Sequence, residues 1–451
     1  MARGGPRILS VLANVPDVAF FVTLARLLEA RGAKVSFLST DYTVERRAWR
    51  LGRPAPNVMH AWVPPRRPEM PTEGVSLENI CRYVLAHPAL EVRYLTLFGQ
   101  ADRLVRAYAG HFDRVRPDLV MSWNGTVPKV RAAMKLAEAR GLAALYFEQG
   151  NFPGTTICDP KGVNYEGSMR DFAVPAEFNR ERVEKYLERF RTRSRAKRDR
   201  GGTFGRILDG VVNFFARRSP FHPALYFDHD KAVNAKRLAR RLQQQLRSTA
   251  LGEILSREEF EPPERFVFLP LQVQDDTQVI VHSPLVRSME ELVDETVLAL
   301  PGGVDLVVKS HPVDRGRRGY RVIEEMLEGP RYHFVHEADV FELARRASCV
   351  VTVNSTVGLE ALALMKPVVV LGEAVYAGRG ITVDVDDLEE YPAKLRGALD
   401  FRPDEDEVKR FLDYYIFEYS KPGDFRRPVA TELAPLADYV MSRLGTRPPI
   451  P

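Results

Sequence analysis

The sequence predicts an α/β fold in which two doubly wound, Rossmann-type domains are separated by a helical, basic insert. Three observations indicate this fold. At the start of the chain, short apolar runs typical of strands alternate with segments whose apolar residues recur at helical spacing. The same alternation returns after residue 265. The segment between these two regions is Arg-rich and poor in β-branched residues. A chain of 451 residues is long enough for two or three domains with cores of their own.

The first domain is predicted over residues 1–175 from repeated strand–helix–strand patterns. Its predicted elements are strands at 7–14, 34–39, 117–123 and 143–150 and helices at 17–31 and 127–140. Gly32 and Gly141 stand where glycine commonly ends a helix. Because consecutive βαβ units give parallel strands with right-handed crossovers, we expect a parallel sheet.

The second domain is predicted over residues 256–404, and residues 405–451 are predicted as helices that pack back on the first domain. The predicted elements of the second domain are strands at 265–272, 305–312, 332–337, 349–354 and 367–372 and helices at 287–300, 339–346 and 356–364. No GxGxxG pattern follows the first strand, which argues against a dinucleotide cofactor. Two such domains predict a ligand in a cleft between them.

The insert, residues 176–255, is strongly basic. Its stretch 180–247 carries 19 Lys or Arg against 7 Asp or Glu, which indicates an anionic partner, either a membrane surface or a nucleic acid. A nucleic acid is disfavoured because the basic block lacks interleaved aromatic residues. Within 203–218, apolar residues fall largely on one helical face: Phe204, Ile207, Leu208, Val211, Phe214 and Phe215. This face predicts docking on the inner side of the cytoplasmic membrane; the alternative is that it packs on the protein's own core.

Cysteine and histidine spacing argue against a disulfide framework and a metal site. Cys81, Cys158 and Cys349 are far apart and odd in number, as in proteins of the reducing cytoplasm. The histidines form no metal-ligand pattern. The N-terminal run fits a first buried strand better than a signal peptide, and no stretch approaches the roughly 20 apolar residues that span a bilayer.

An anion site is predicted where the strand at 349–354 turns into a helix. Asn354, Ser355 and Thr356 stand at that turn, where free backbone N–H groups and the helix dipole favour a phosphate. Glu360 lies about one turn further, where it could meet ribose hydroxyls. The alternative is a well-capped helix of the kind that every α/β protein contains.

Two further segments carry polar residues at predicted strand ends in the second domain. His311 and Pro312 follow one strand, and an imidazole there can bond a phosphate or a base edge. Gln272 and Asp276 follow the first strand of the domain, on the side that is expected to face the ligand. A surface histidine and a solvated loop are the alternatives.

Two acids follow the last predicted strand of the first domain. Glu148 ends that strand and Asp159 comes eleven residues later. Glycosyl transfer needs two carboxylates, one to stabilise or attack an oxocarbenium-like centre and one to take the acceptor's proton. Chance placement of two acids in a long loop is the alternative.

Taken together, four motifs resemble one family over most of the chain: FEQGNFPGTTICDPKGVN, LPLQVQDDTQ, KSHP and NSTVGLEALALMKPVVVLGEAVY. The chain resembles the bacterial capsule polysaccharide biosynthesis proteins that act as retaining β-Kdo transferases, Kdo being an acidic keto sugar. The resemblance implies a GT-B-like fold, a CMP site at His311 and residues 354–356, Asp159 as covalent nucleophile and an acidic residue at the position of Glu148. We expect Glu148 to be the general base; the alternative is that the two acids exchange these roles. The EQG and DPKGVN motifs look closer to the single-module enzyme that acts on a lipid acceptor than to the two-module chain extender.

The resemblance therefore predicts transfer of Kdo from CMP-Kdo to a (lyso)phosphatidylglycerol-type or Kdo-primed glycolipid acceptor. Because CMP has less charge than a nucleoside diphosphate, we expect no metal and no other cofactor. Capsule export or assembly proteins are candidate partners, and no nucleic acid is expected. The alternatives are a transferase for another CMP- or CDP-activated group and a non-catalytic nucleotide-binding subunit of an export complex.

Overall fold

The computed structural model describes residues 5–58, 74–87, 94–192, 260–312 and 318–444. These residues form two compact units. Unit 1 holds the described residues up to 169 together with 416–444, and unit 2 holds 170–192 and 260–415. The basic helix predicted at 203–218 lies outside the described residues.

Unit 1 is a six-stranded sheet covered by helices on both faces. Its strands are β1 (Arg7–Leu12), β2 (Lys34–Ser39), β3 (Leu119–Trp123), β4 (Ala143–Gln149), β5 (Thr155–Asp159) and, as the last strand of the chain, β12 (Ser420–Pro422). Its helices are α1 (Val15–Ala30), α2 (Tyr42–Arg50), α3 (Leu77–Ala86), α4 (Tyr94–Val115), α5 (Pro128–Ala139) and, near the end of the chain, α14 (Ala430–Ser442).

The strand order of unit 1 is β12-β5-β4-β3-β1-β2. β1 to β4 run parallel, while β5 is antiparallel to both β4 and β12. The prediction of a parallel sheet is therefore wrong for β5, a strand that the sequence analysis places in a loop. The chain turns back after β4 through a short Gly150–Gly154 connection, and this turn makes β5 antiparallel.

Unit 2 is a six-stranded, fully parallel sheet in the order β11-β10-β9-β6-β7-β8. Its strands are β6 (Phe266–Pro270), β7 (Asp305–Lys309), β8 (Tyr332–Val335), β9 (Cys349–Thr352), β10 (Val368–Val370) and β11 (Val383–Asp384). Its helices are α6 (Arg180–Arg191), α7 (Thr277–Val281), α8 (Met289–Ala299), α9 (Arg318–Met326), α10 (Val340–Arg346), α11 (Thr356–Ala363), α12 (Tyr391–Ala398) and α13 (Glu405–Asp413).

The predicted α/β fold class with two doubly wound units is confirmed. The central strands are almost entirely apolar and buried, as expected for strands that helices cover on both faces. In unit 1, edge-on aromatic contacts join helix and sheet, with ring centroids 5.5 Å apart for Phe20 and Trp123 and 5.3 Å apart for Phe21 and Phe147. These contacts fix α1 over β3 and β4.

The described start of the predicted insert, α6, belongs to unit 2. The Arg182 guanidinium donates to both oxygens of Asp413, and Arg191 donates to the carbonyl of Ala363 at 3.1 Å. Val183, Leu187 and Phe190 are buried. At least these two arginines are therefore engaged inside the unit instead of facing an anionic partner.

Candidate functional site

Polar residues converge at the carboxyl ends of three adjacent strands of unit 2. β9, β6 and β7 are neighbours in the sheet, and Asn354, Gln272 and His311 each follow one of them by two residues. Ligands of open parallel α/β sheets bind at this edge. The residues that the sequence predicts for the donor therefore occupy one edge of unit 2.

Gln272 and Asn354 form a reciprocal pair across this edge. The Gln272 side-chain amide donates to Asn354 Oδ1 at 2.9 Å, and its Oε1 accepts the Asn354 backbone N–H at 3.2 Å. Asn354 Nδ2 donates to the carbonyls of Gln278 and His282 at 2.9 and 3.0 Å. These contacts indicate that the two side chains shape the edge by joining β6, β9 and the α7 segment.

The N-terminus of α11 offers fewer free donors than the sequence suggests. Ser355 Oγ accepts the Val357 N–H at 3.2 Å, and the Ser355 carbonyl accepts the Gly358 N–H at 3.0 Å and the Tyr376 hydroxyl at 2.7 Å. Within the described part of the chain, the Thr356 N–H has no partner, and the Thr356 side chain is exposed. Among the residues predicted for the anion site, Thr356 at the first position of the helix is therefore the one that still offers a backbone donor.

Glu360 and Asp276 lie in different environments. Glu360 follows Thr356 by four residues, so the two share one helix face, and Glu360 is only 7% exposed. Asp276 is exposed and caps α7 by accepting the Gln278 N–H at 2.9 Å. A helix-capping role accounts for Asp276, whereas Glu360 is a buried carboxylate beside the anion site.

His311 is held through its backbone. Its N–H donates to the Tyr320 hydroxyl at 2.8 Å, and that hydroxyl contacts the His311 carbonyl at 3.4 Å. On the preceding residue, Ser310 Oγ lies 2.9 Å from His336 Nδ1. Pro312 follows and is exposed. The backbone of this strand end is thus held by Tyr320 on one side and by His336 on the other, and the imidazole of His311 is half-buried.

His282 belongs to this edge and was missed as a site residue. Its Nδ1 lies 2.7 Å from Glu373 Oε2, and its carbonyl accepts both the Glu373 N–H and the Asn354 side chain. Nothing local could reveal its pairing, since Glu373 is 91 residues away.

In unit 1, Asp159 ends β5 and is fully buried. Its Oδ1 accepts the N–H groups of Lys161 and Gly162 at 2.7 and 3.2 Å, and its Oδ2 accepts the N–H and the hydroxyl of Ser168 at 2.8 and 2.5 Å. Four donors thus tie both oxygens to the following loop. A nucleophilic role would require this carboxylate to release some of them.

The loop that follows Asp159 is also anchored by a cluster of one acid and two arginines. Glu166 contacts both Arg82 and Arg131, with 3.0 Å between its Oε2 and Arg131 Nη1. Arg131 is buried, and its guanidinium also reaches the carbonyl and side chain of Asn79 at 2.9 Å. These contacts hold the loop that contains the DPKGVN motif against α3 and α5.

Glu148 lies at the carboxyl end of β4 and is half-buried. Its Oε2 accepts Asn124 Nδ2 at 2.5 Å, and its Oε1 accepts the Gln149 N–H at 2.8 Å. Asn124 follows β3 in the left-handed region with φ 64°, and Gly125 follows with φ 78°. This unusual backbone turns the Asn124 side chain toward Glu148.

Asp17, at the start of α1, is an acid that the sequence analysis did not single out. It is 2% exposed, and its Oδ2 accepts Asn14 Nδ2 at 2.9 Å. Burial raises the pKa of Asp17 to about 7, and repulsion by Glu148 acts in the same direction. A buried acid with a raised pKa beside a predicted catalytic acid makes this strand edge a candidate functional site.

The described residues contain neither a candidate metal site nor a helix that could cross a membrane. They contain no group of three or more His, Cys, Asp or Glu side chains that could hold a metal ion. No helix among them combines the length and the apolar character needed to cross a bilayer. Cys81, Cys158 and Cys349 are buried free thiols.

Comparison with known proteins identifies related chains. A family model of capsule polysaccharide biosynthesis proteins matches residues 118–399. The capsule polysaccharide export protein KpsS of Escherichia coli is 28% identical over 320 residues, which cover 66% of this chain and 77% of KpsS. Protein FixF of Sinorhizobium fredii is 35% identical over 188 residues, 40% of this chain and 45% of FixF.

One similar solved structure is the beta Kdo 2,7 transferase of KpsC from Thermosulfurimonas dismutans. Its TM-score to this chain is 0.42 at 15% sequence identity, and the match covers 80% of this chain and 95% of that chain. The family match takes in more than half of the chain, including Glu148, Asp159, His311 and residues 354–360. The resemblance predicted from the four motifs is confirmed: the chain belongs to the capsule polysaccharide biosynthesis protein family.

Proposed function

We propose that the chain is a retaining glycosyltransferase that transfers Kdo from CMP-Kdo to a lipid or glycolipid acceptor during surface polysaccharide synthesis. The observation that carries the proposal is the carboxyl edge of unit 2, where Thr356 follows β9 and His311 follows β7, the two strands that flank β6 in one parallel sheet. Membership of the capsule polysaccharide biosynthesis family supports it.

The donor is proposed to bind at that edge. The Thr356 N–H, which has no partner among the described residues, lies at the positive end of the α11 dipole and suits one phosphate oxygen. His311 is proposed as a second phosphate contact and Glu360 as an acceptor for the ribose hydroxyls. A nucleoside monophosphate carries one phosphate, which a helix N-terminus and one imidazole can match.

The acids of unit 1 are proposed to serve the transfer. Glu148 is half-buried and suits the role of base toward an acceptor hydroxyl. Asp159 is proposed as the nucleophile, with its four hydrogen bonds as the main argument against that role. A lipid acceptor and a location on the inner face of the cytoplasmic membrane complete the proposal.

Calorimetry tests the proposed donor site. CMP should bind more tightly than UDP, and His311→Ala should weaken CMP binding about 10- to 150-fold, the equivalent of losing one charge-assisted contact of about 1.5–3 kcal/mol. Glu389→Ala, at a solvent-exposed position, is the matched control and should leave binding unchanged. Unchanged CMP affinity in His311→Ala would refute the donor assignment.

A second candidate is a nucleotide-binding subunit without transfer activity. It is favoured by the full engagement of the Asp159 carboxylate, and the E. coli relative is named an export protein. Incubation with CMP-Kdo and a phosphatidylglycerol-type acceptor separates the two. Transfer predicts free CMP and an acceptor heavier by one Kdo residue; a binding subunit returns both substrates intact although CMP binds.

A further inference from the structure

Four polar side chains lie at the carboxyl ends of β1, β3 and β4, which are neighbours in the first sheet in the order β4-β3-β1. We call Asn14, Asp17, Asn124 and Glu148 the acid–amide cluster. Each acid accepts from one asparagine: Asp17 from Asn14 at 2.9 Å and Glu148 from Asn124 at 2.5 Å. The two acid–amide pairs are not independent, because the charge of Glu148 acts on Asp17.

The two acids differ in solvation. Glu148 is half-buried and accepts from two donors, Asn124 Nδ2 and the Gln149 N–H at 2.8 Å. Asp17 is 2% exposed, so ionisation costs it desolvation as well as repulsion from Glu148. The half-buried acid can reach a substrate, whereas the buried one can act only through its neighbour.

We propose that Asp17 and Glu148 form a coupled carboxyl pair in which Glu148 takes the proton of the acceptor hydroxyl and Asp17, as a positioning residue, sets the pH range of that step. The proposal rests on the proposed transferase function. In the step, the acceptor O–H bond breaks and its proton moves to Glu148. The oxygen's electron pair forms the bond to the anomeric carbon, and the bond from that carbon to its leaving oxygen breaks with its electrons on that oxygen.

Other charges near α1 are engaged elsewhere. Arg31 pairs with Asp438 of α14 at 2.6 Å, and Arg53 pairs with Glu29. On the α2 side, Asp41 caps its own helix through the Thr43 N–H. Among the described residues, Glu148 is the charged group whose repulsion raises the pKa of Asp17.

The coupling has a defined direction. At low pH Asp17 is neutral, and Glu148 faces no second charge. When Asp17 ionises, its charge raises the proton affinity of Glu148 and makes it a stronger base. With the pKa of Asp17 near 7, its ionised fraction grows about tenfold between pH 6 and pH 8. The transfer rate should rise across the same interval.

The first test is the pH profile of Kdo transfer from CMP-Kdo. The wild-type protein should show a rise of up to about tenfold in kcat/KM between pH 6 and 8 that is absent in Asp17→Asn and restored in Asp17→Glu. The control Asp113→Asn, at an exposed position paired with Arg140, should keep the wild-type profile. An Asp17→Asn profile that matches wild type would overturn the proposal.

The second test does not need transfer. Infrared difference spectra of the full chain should contain the carbonyl band of a neutral carboxyl that disappears near pH 7, is missing in Asp17→Asn, and disappears at lower pH in Glu148→Gln. A band that persists unchanged in both variants refutes the pair. If the wild-type chain transfers no sugar, the proposed function fails, and the infrared result still decides whether the two acids are coupled.

Discussion

At the scale of single residues, the two predicted catalytic acids are held in different ways. Asp159 is fully buried with four donors on its oxygens, whereas Glu148 is half-buried with two. The contacts of Asp159 stabilise a loop whether or not the carboxylate also attacks a sugar. Loss of activity in a variant would therefore not by itself prove a nucleophile.

Asp159→Asn should reduce stability as well as activity. An asparagine presents an NH2 group to one set of N–H donors, which leaves buried donors without an acceptor at a cost of about 1–3 kcal/mol. The midpoint of thermal unfolding should fall by several degrees. Asp171→Asn, whose side chain is 70% exposed, should leave it unchanged. A covalent Kdo adduct on Asp159, detected by mass spectrometry, would be needed to assign the nucleophile.

Asp17 should make the wild-type protein less stable as the pH rises. Its folded pKa of about 7 lies above the ordinary value of 3.8, so the folded state binds the proton more tightly than the unfolded state. The contribution is full below about pH 4 and is lost as the pH rises through 7, with a total of about 4 kcal/mol at most.

Comparison of unfolding midpoints at pH 5 and pH 8 checks this prediction. The difference between the two pH values should be smaller in Asp17→Asn than in the wild-type chain, with Asp113→Asn as the control. Equal pH dependence in the two proteins would show that Asp17 is ionised at an ordinary pKa.

At the scale of elements, the start of α11 is fixed by a contact between a glycine and a tyrosine. A Cβ on Gly358 would lie 2.3 Å from the Tyr376 hydroxyl and 2.6 Å from its Cζ, and the same hydroxyl donates to the Ser355 carbonyl. The close approach places the Tyr376 ring beneath the helix end. This packing sets the position of the Thr356 N–H.

Gly358→Ala should displace Tyr376 and lower both stability and CMP affinity. Overpacking of this kind costs about 1–3 kcal/mol. Gly397→Ala is the matched control, because Gly397 also lies in a helix and its Cβ would meet nothing within 4 Å. That control should be neutral or slightly stabilising. If Gly358→Ala binds CMP as tightly as the control, the geometry of the helix end does not matter for binding.

The predicted strands are confirmed where the sequence pattern that indicates them is local. The four apolar strands of the first domain and the five of the second appear within a few residues of their predicted positions, because buried parallel strands are continuous apolar runs. α2, α3 and α4 were not predicted, and β5 was read as loop. β5 pairs with Ser420–Pro422, more than 260 residues away, a partner that no local pattern reveals.

At the scale of the whole molecule, strand order decides which polar residues meet. Asn14, Asn124 and Glu148 are far apart in sequence, yet they lie at the ends of consecutive strands because β3 inserts between β1 and β4. Gln272 and Asn354 meet in the same way through β6 and β9. Glu148 and the donor residues can be predicted because each follows or ends an apolar strand. Which of their neighbours they contact depends on the strand order, which no local pattern reveals.

Membrane docking of the full chain stays a prediction, since residues 203–218 lie outside the described ranges. Co-sedimentation with vesicles should increase with anionic lipid content and decrease with salt, as charges are screened. Replacing Phe214 and Phe215 by Ser should weaken it while the protein stays folded. Equal sedimentation with neutral and anionic vesicles would favour packing of that face on the protein's own core.

The return of the chain to unit 1 has a consequence for synthesis on the ribosome. β12 completes the edge beside β5, and α14 covers α1 with Leu433, Leu436 and Val440. Residues 416–444 follow the sheet of unit 2 in the chain, so the first strands and helices of unit 1 are translated long before the residues that cover the apolar surface of α1. The strands of the unit 2 sheet are contiguous in sequence, so that sheet can form without waiting for a distant segment.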